Sequence, residues 1–218
     1  MKINEMIDHT YLKPLGTKME IDKLLDEAKQ YNFKSVCVNP THVKYCSKAL
    51  AKTEVLVCTV IGFPLGANTV EAKVFETLNA VSNGADEIDM VINMGEFRQG
   101  NYDYVEDEIK QVCKAAMNNL VKVNIETSYL GDEQIKIAAE LVGKTKAAFI
   151  KTSTGFGTGG ATKEAVKILK DNAGGKEVEA VGSIRTQEEL QAMIEAGATR
   201  IGTTSGVKLM NNEGRTNY

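Results

Sequence analysis

The chain has 218 residues, 43% hydrophobic and 25% charged, with 19 Gly, 3 Pro and a formal net charge of −3. Those values fit a globular protein of one large or two small domains, and a weak negative charge without a long basic run argues against a nucleic-acid or polyanion partner. No apolar run approaches the ~18 residues of a membrane span, and Met1-Lys2-Ile3-Asn4-Glu5 lacks an apolar signal region. Cys37, Cys46, Cys58 and Cys113 show no CxxC spacing, so the expectation is a cytoplasmic protein with reduced thiols and neither a disulfide nor a zinc framework.

Two kinds of segment alternate along the chain. Short runs rich in Val and Ile at residues 6–12, 35–39, 55–61, 87–93, 120–127, 147–154, 178–184 and 200–205 read as strands buried on both faces, as in a parallel sheet. Between them, residues 21–31, 68–83, 102–118, 132–142, 162–172 and 186–196 carry helical periodicity. In the first of these, Ile21, Leu24, Leu25 and Ala28 share one face, with Asp22, Lys23, Asp26 and Glu27 on the other. Thr186 and Glu189 are spaced as a capping box, and Gly84, Gly143 and Gly197 are placed as stops just past helices. No linker composition marks a domain boundary. Eight strands alternating with helices predict a single-domain (β/α)8 TIM barrel over residues 1–218. A doubly wound open sheet is the alternative, but no Gly-x-Gly-x-x-Gly fingerprint follows the first strand.

In such a barrel, catalytic groups sit at the C-terminal ends of the strands. Asp8, His9 and Thr10 close the first strand, and Asp89 interrupts the fourth. Lys122, Asn124 and Glu126 alternate along the fifth and so face one side, inward if helices cover the other. Lys151 lies on the sixth strand and Glu179 on the seventh. Asp89, Lys122, Glu126, Lys151 and Glu179 are therefore expected to pair inside the barrel mouth, where opposite charges tune one another; a purely structural ion network would look the same. A buried lysine pushed toward neutrality can act as a Schiff-base nucleophile, whereas one at a strand end can also simply reach for solvent.

Three Gly/hydroxyl loops follow the sixth, seventh and eighth strands: Thr154-Gly155-Phe156-Gly157-Thr158-Gly159-Gly160, Gly182-Ser183-Ile184-Arg185 and Gly202-Thr203-Thr204-Ser205-Gly206. Their position and composition predict a phosphate site, with Arg185 adding a charged contact. The two histidines lack metal-ligand spacing. His9 is expected to be hydrogen-bonded at the end of the first strand and His42 to lie early in a helix, and no metal site is expected.

Several of these segments resemble the deoxyribose-phosphate aldolase family. The resemblance is carried by Asp8-His9-Thr10-Tyr11-Leu12-Lys13-Pro14, Ser35-Val36-Cys37-Val38-Asn39-Pro40 and Cys58-Thr59-Val60-Ile61-Gly62-Phe63-Pro64-Leu65-Gly66. It continues through Gly84-Ala85-Asp86-Glu87-Ile88-Asp89-Met90-Val91-Ile92-Asn93, Phe149-Ile150-Lys151-Thr152-Ser153-Thr154-Gly155-Phe156 and Ala196-Gly197-Ala198-Thr199-Arg200-Ile201-Gly202, covering essentially the whole chain. It implies a metal-free, cofactor-free class I aldolase that cleaves 2-deoxyribose 5-phosphate to acetaldehyde and glyceraldehyde 3-phosphate, with a homodimer as a possible assembly. Carried over residue by residue, Lys151 matches the Schiff-base lysine and Asp89 the proton-handling carboxylate. Thr154, Gly155, Gly182, Ser183, Arg185, Gly202, Thr204 and Ser205 are the phosphate-side candidates.

The resemblance also exposes departures. Glu179 stands where the family places a second lysine, Val181 and Ser183 replace smaller residues, and Asn124 replaces an apolar one. Lys122, Asn124 and Val181 are expected to line the pocket. A carboxylate beside Lys151 stabilises the ammonium, so a weaker nucleophile is expected, with Glu179 itself available as an acid/base if burial neutralises it. The open alternatives are a carboligase redirected to non-phosphorylated aldehydes and a silent sugar-phosphate-binding barrel.

Overall fold

The computed structural model describes residues 2–211; Met1 and residues 212–218, which the expected domain also spans, lie outside it. The strands β1 (Ile7–Tyr11), β2 (Ser35–Val38), β3 (Leu56–Ile61), β4 (Glu87–Val91), β5 (Leu120–Asn124), β6 (Phe149–Lys151), β7 (Glu177–Val181) and β8 (Arg200–Thr203) form a closed parallel barrel. Each pairs with the next, and β8 returns to β1. The helices are α1 (Lys18–Tyr31), α2 (Val43–Leu50), α3 (Val70–Ser82), α4 (Met94–Arg98), α5 (Tyr102–Ala115), α6 (Asp132–Gly143), α7 (Lys163–Asn172), α8 (Gln187–Ala196) and α9 (Gly206–Met210). The expected (β/α)8 TIM barrel is the architecture observed.

Alternation along each strand sorts the residues into two environments. Ile7, Val36, Val57, Ile88, Val121, Ile150, Val178 and Ile201, one from each strand, lie in a continuous apolar cluster with helix residues such as Ile21, Leu25, Ile109, Val112, Val166 and Leu169. Each of these burials stabilises by ~1.5–3 kcal/mol, which is what wraps the helices onto the barrel. The other face of the strands points into the barrel and is largely polar.

Helix boundaries follow local chemistry. Thr17 and Glu20 form a capping box that starts α1 three residues before the expected position, and Thr186 with Glu189 caps α8 as the spacing predicts. Gly197 ends α8 in the left-handed region at φ 113°. Gly143 departs from expectation: it is the last residue of α6, not a stop beyond it. A Cβ there would meet the Ala173 carbonyl group at 3.1 Å, so close approach to the end of α7 explains the glycine. The helices α2, α4 and α9 were not singled out from periodicity, being only 8, 5 and 5 residues long. His42 ends a short 3-10 turn (Pro40–His42) that leads into α2.

Candidate active site

Seven ionisable side chains fill the middle of the barrel, all of them buried. They form a chain of shared contacts. Arg200 contacts Asp8 at 2.5 Å and Glu87 at 2.7 Å; Lys122 contacts the same two carboxylates, Glu87 at 2.8 Å, and also Glu179 at 2.8 Å. Glu179 reaches Lys151 at 3.3 Å, and Lys151 holds Asp89 through a direct ion pair. The register explains the meeting: Asp89 lies beside Lys122 and Lys151 beside Glu179 on adjacent strands, while Glu179 lies beside Arg200. Four carboxylates face three cations, so the fully ionised cluster carries a net −1.

That imbalance shapes the acid–base chemistry. Burial works against the Lys151 ammonium, but Asp89 and Glu179 outweigh it and hold the Lys151 pKa well above the ordinary lysine range. Lys122 is likewise raised against burial, by Asp8, Glu179 and Glu87 among its neighbours. Burial pushes the Glu179 carboxyl up, opposed by Lys122 and Lys151 and assisted by Asp8 and Asp89. Glu179 thus holds a proton more readily than an ordinary glutamate. Among the described residues Asp89 Oδ1 has no hydrogen-bond partner, which leaves one oxygen beside Lys151 free to accept.

Above this layer, at the C-terminal ends of β6, β7, β8 and β1, opens a cavity of about 430 Å³. Every phosphate-side candidate lies in its wall: Thr154, Gly155, Gly182, Ser183, Arg185, Gly202, Thr204 and Ser205, together with Val181. Among the described residues, Lys13 and Arg185 are the charged side chains of that wall and no carboxylate lines it. Lys151, only 4% exposed, lies one layer below: its register partner is Glu179, and Val181, two residues further along β7, is in the wall. Ser183 occupies a left-handed backbone position at φ 63° that a glycine adopts more readily.

Three placements differ from expectation. Lys122 and Asn124 do not line the cavity; both are buried inside the barrel, Lys122 committed to its three carboxylates and Asn124 Oδ1 accepting from the Glu126 backbone N–H at 3.0 Å. Glu126 does not join the ion cluster. It lies just past β5, and its carboxylate accepts from Thr154 N–H at 2.9 Å, Thr154 Oγ1 at 2.6 Å and Ser128 Oγ at 3.0 Å. The backbone turns left-handed at Glu126 (φ 44°), which breaks the alternation that would have kept it beside Lys122. His9 is hydrogen-bonded as expected, its Nε2 lying 2.7 Å from Glu27 Oε2 on α1. Among the described residues, no group of three or more His, Cys, Asp or Glu side chains is arranged to hold a metal ion.

The DeoC/LacD family aldolase pattern matches residues 3–211. The chain belongs to the DeoC/LacD family of aldolases. Deoxyribose-phosphate aldolase 1 of Staphylococcus aureus (strain MRSA252) is 57% identical over 211 residues, 96% of each chain. Among solved structures, the aldolase QR15 superposes with a TM-score of 0.92 at 42% identity, covering 97% of this chain and 95% of that one. The deoxyribose phosphate aldolase of Aeropyrum pernix, whose structure is tetrameric, gives 0.86 at 31% identity, covering 95% and 89%.

Sequence reasoning missed four members of this DeoC/LacD aldolase site, the first being Asp8, which was read only as closing the first strand. Glu87 and Arg200 complete the ion cluster, and Lys13 stands in the cavity wall. Period-two spacing was the available signal for Glu87 and Arg200: Glu87 shares a face with Asp89, and Arg200 with Gly202.

Proposed function

We propose that the chain cleaves 2-deoxyribose 5-phosphate reversibly to acetaldehyde and glyceraldehyde 3-phosphate through a Schiff base on Lys151. The observation that carries this reading is a buried lysine held against Asp89 and Glu179 directly beneath a cavity walled by glycines, hydroxyls and two cations. Nζ of Lys151 passes a proton to Asp89 and attacks the substrate aldehyde carbon, forming a carbinolamine. Proton return to the carbinolamine hydroxyl expels water and leaves the iminium. A base then takes the C3 hydroxyl proton, the C2–C3 bond breaks, and its electrons form the enamine as glyceraldehyde 3-phosphate leaves. Protonation at C2 and hydrolysis release acetaldehyde and free Lys151. Glu179, with its raised pKa and its place between two lysines, serves as a second proton donor and acceptor. Gly155, Gly182, Ser183, Arg185, Gly202, Thr204 and Ser205 surround the phosphate.

Sodium borohydride with acetaldehyde tests the reading. The expected result is an ethyl group fixed on Lys151, absent in Lys151→Ala, together with cleavage of deoxyribose 5-phosphate. The raised pKa of Lys151 favours one other reading, a barrel that binds the sugar phosphate without turning it over. An absence of adduct at any pH up to about 9, alongside phosphate-ester binding, selects that one.

A cytoplasmic homodimer belongs to the same reading. Its support is the exposed Phe75 and Leu78 on α3; the relative from Aeropyrum pernix is tetrameric, which makes a larger assembly the alternative outcome. Light scattering on a sizing column measures the assembly.

A further inference from the structure

Glu126 combines a costly backbone with a buried charge. Its left-handed φ of 44° is unusual for a residue with a Cβ, and its side chain is buried. No cation pairs with its carboxylate among the described residues; three neutral donors satisfy it instead. Two of those donors belong to Thr154, the third residue after Lys151.

The bookkeeping at Thr154 is complete. Its backbone N–H and its single hydroxyl proton both go to Glu126 Oε2, while its Oγ1 accepts from Phe156 N–H at 3.0 Å. Thr154 therefore has no donor left for a substrate, although it stands in the cavity wall. The loop then crosses the carboxylate: a Cβ at Gly157 would stand 2.7 Å from Glu126 Cδ and Oε1, so a larger residue would have to push the carboxylate off its donors. Along this loop, the N–H groups of Gly155, Gly157, Thr158, Gly159 and Gly160 have no acceptor among the described residues, and all five residues line the cavity. Successive open N–H groups of this kind suit an oxyanion.

We propose that Glu126 is a positioning residue for substrate phosphate: by taking both donors of Thr154 and seating Gly157, it fixes the loop that offers these N–H groups to a phosphoryl group. The inference rests on the phosphate-binding reading given above and adds to it that Thr154 acts through Glu126 and not on the ligand.

The test compares wild type with Glu126→Ala, Glu126→Gln and Thr154→Val. Inorganic phosphate titrated calorimetrically, KM and kcat for deoxyribose 5-phosphate, and the rate of borohydride trapping of acetaldehyde on Lys151 are the readouts. Glu126→Ala is expected to weaken phosphate binding and raise KM by about tenfold or more, with trapping on Lys151 changed less than about threefold. Gln keeps an acceptor for Thr154, and its amide can donate to Ser128, so Glu126→Gln is expected to restore most of the affinity. Thr154→Val, which keeps the fold's side-chain volume, should weaken phosphate in the same direction. Unchanged phosphate affinity in Glu126→Ala, or a parallel fall in trapping, overturns the inference; if Glu126→Ala does not fold, Thr154→Val decides on the same readouts. A wild type that binds no phosphate overturns the phosphate reading itself, which separates the two failures.

Discussion

Glu179 lies between two lysines, 3.3 Å from Lys151 Nζ and 2.8 Å from Lys122 Nζ. Its charge therefore acts on the Lys151 ammonium directly. Glu179→Lys turns a net −1 cluster into a net +1 cluster and puts an ammonium beside Lys151, which lowers its pKa. Each unit of lowering gives about tenfold more free amine near neutral pH. The expected outcome is a rise of about tenfold or more in kcat/KM for deoxyribose 5-phosphate, with the acidic limb of the pH profile moved to lower pH. Glu179→Gln is expected to fall between. An acidic limb that stays in place in both variants would mean that Asp89 alone holds Lys151 protonated.

Much of this arrangement was legible in the sequence, and the residues that were not share a cause. Periodicity and capping are local, so eight strands, six helices and the Thr186–Glu189 cap could be read off directly. The glycine and hydroxyl loops after β6, β7 and β8 were readable because composition marks them. The ion cluster was only half legible. Asp8 and Arg200 are separated by 192 positions and Asp8 and Lys122 by 114, and only closure of the barrel brings them together. Strand ends were overrun for a similar reason. The strand ends at Lys151, and two residues after Thr152, which still bonds Glu179 and Thr127 through its backbone, Glu126 takes the donors of Thr154.

Lys73 and Glu108 form a second buried ion pair, between α3 and α5. Lys73 Nζ also donates to the carbonyls of Gly66 and Val91 at 2.7 and 2.8 Å, and Glu108 Oε2 accepts from Asn93 N–H at 2.9 Å. Burial pushes Lys73 down and Glu108 up, each opposed by the other. Lys73→Met strands a buried carboxylate and two carbonyls, and is expected to cost about 3–5 kcal/mol in urea unfolding. Adding Glu108→Leu removes the stranded charge, so the double variant should regain part of that loss. A single variant with the wild-type midpoint would show that the pair contributes nothing.

Arg185 stands on the exposed rim of the cavity, so solvent screens it and its contribution is moderate. Replacing it by Met is expected to raise KM for deoxyribose 5-phosphate by about tenfold, in the range of a lost hydrogen bond to a charged group. The same substitution should leave kcat/KM for unphosphorylated deoxyribose within about twofold. The loss should shrink as salt is raised, because screening weakens the wild-type contact. Equal losses on both substrates would place Arg185 outside phosphate recognition.

Asp8 is expected to contribute to the acid limit of the fold. Burial opposes its ionisation, but Lys122 and Arg200, with hydrogen bonds from Lys122 and Ser35, hold its carboxyl well below the ordinary aspartate range. A carboxylate depressed in the folded state binds protons more readily when unfolded. Its contribution is therefore full above the unfolded value of about 3.9 and is lost as pH falls below it. Glu179 has the opposite sign. With its folded pKa raised, its contribution is present below about 4.3 and fades as pH rises through the folded value. Wild-type Tm is expected to fall as pH drops from about 4 to about 2, below the unfolded aspartate value. Asp8→Asn removes the partner of two buried cations, so it should lower Tm at neutral pH and flatten the decline between those values. Calorimetric scans across that range decide the point, and a slope in Asp8→Asn as steep as in wild type would assign the acid sensitivity to other carboxylates.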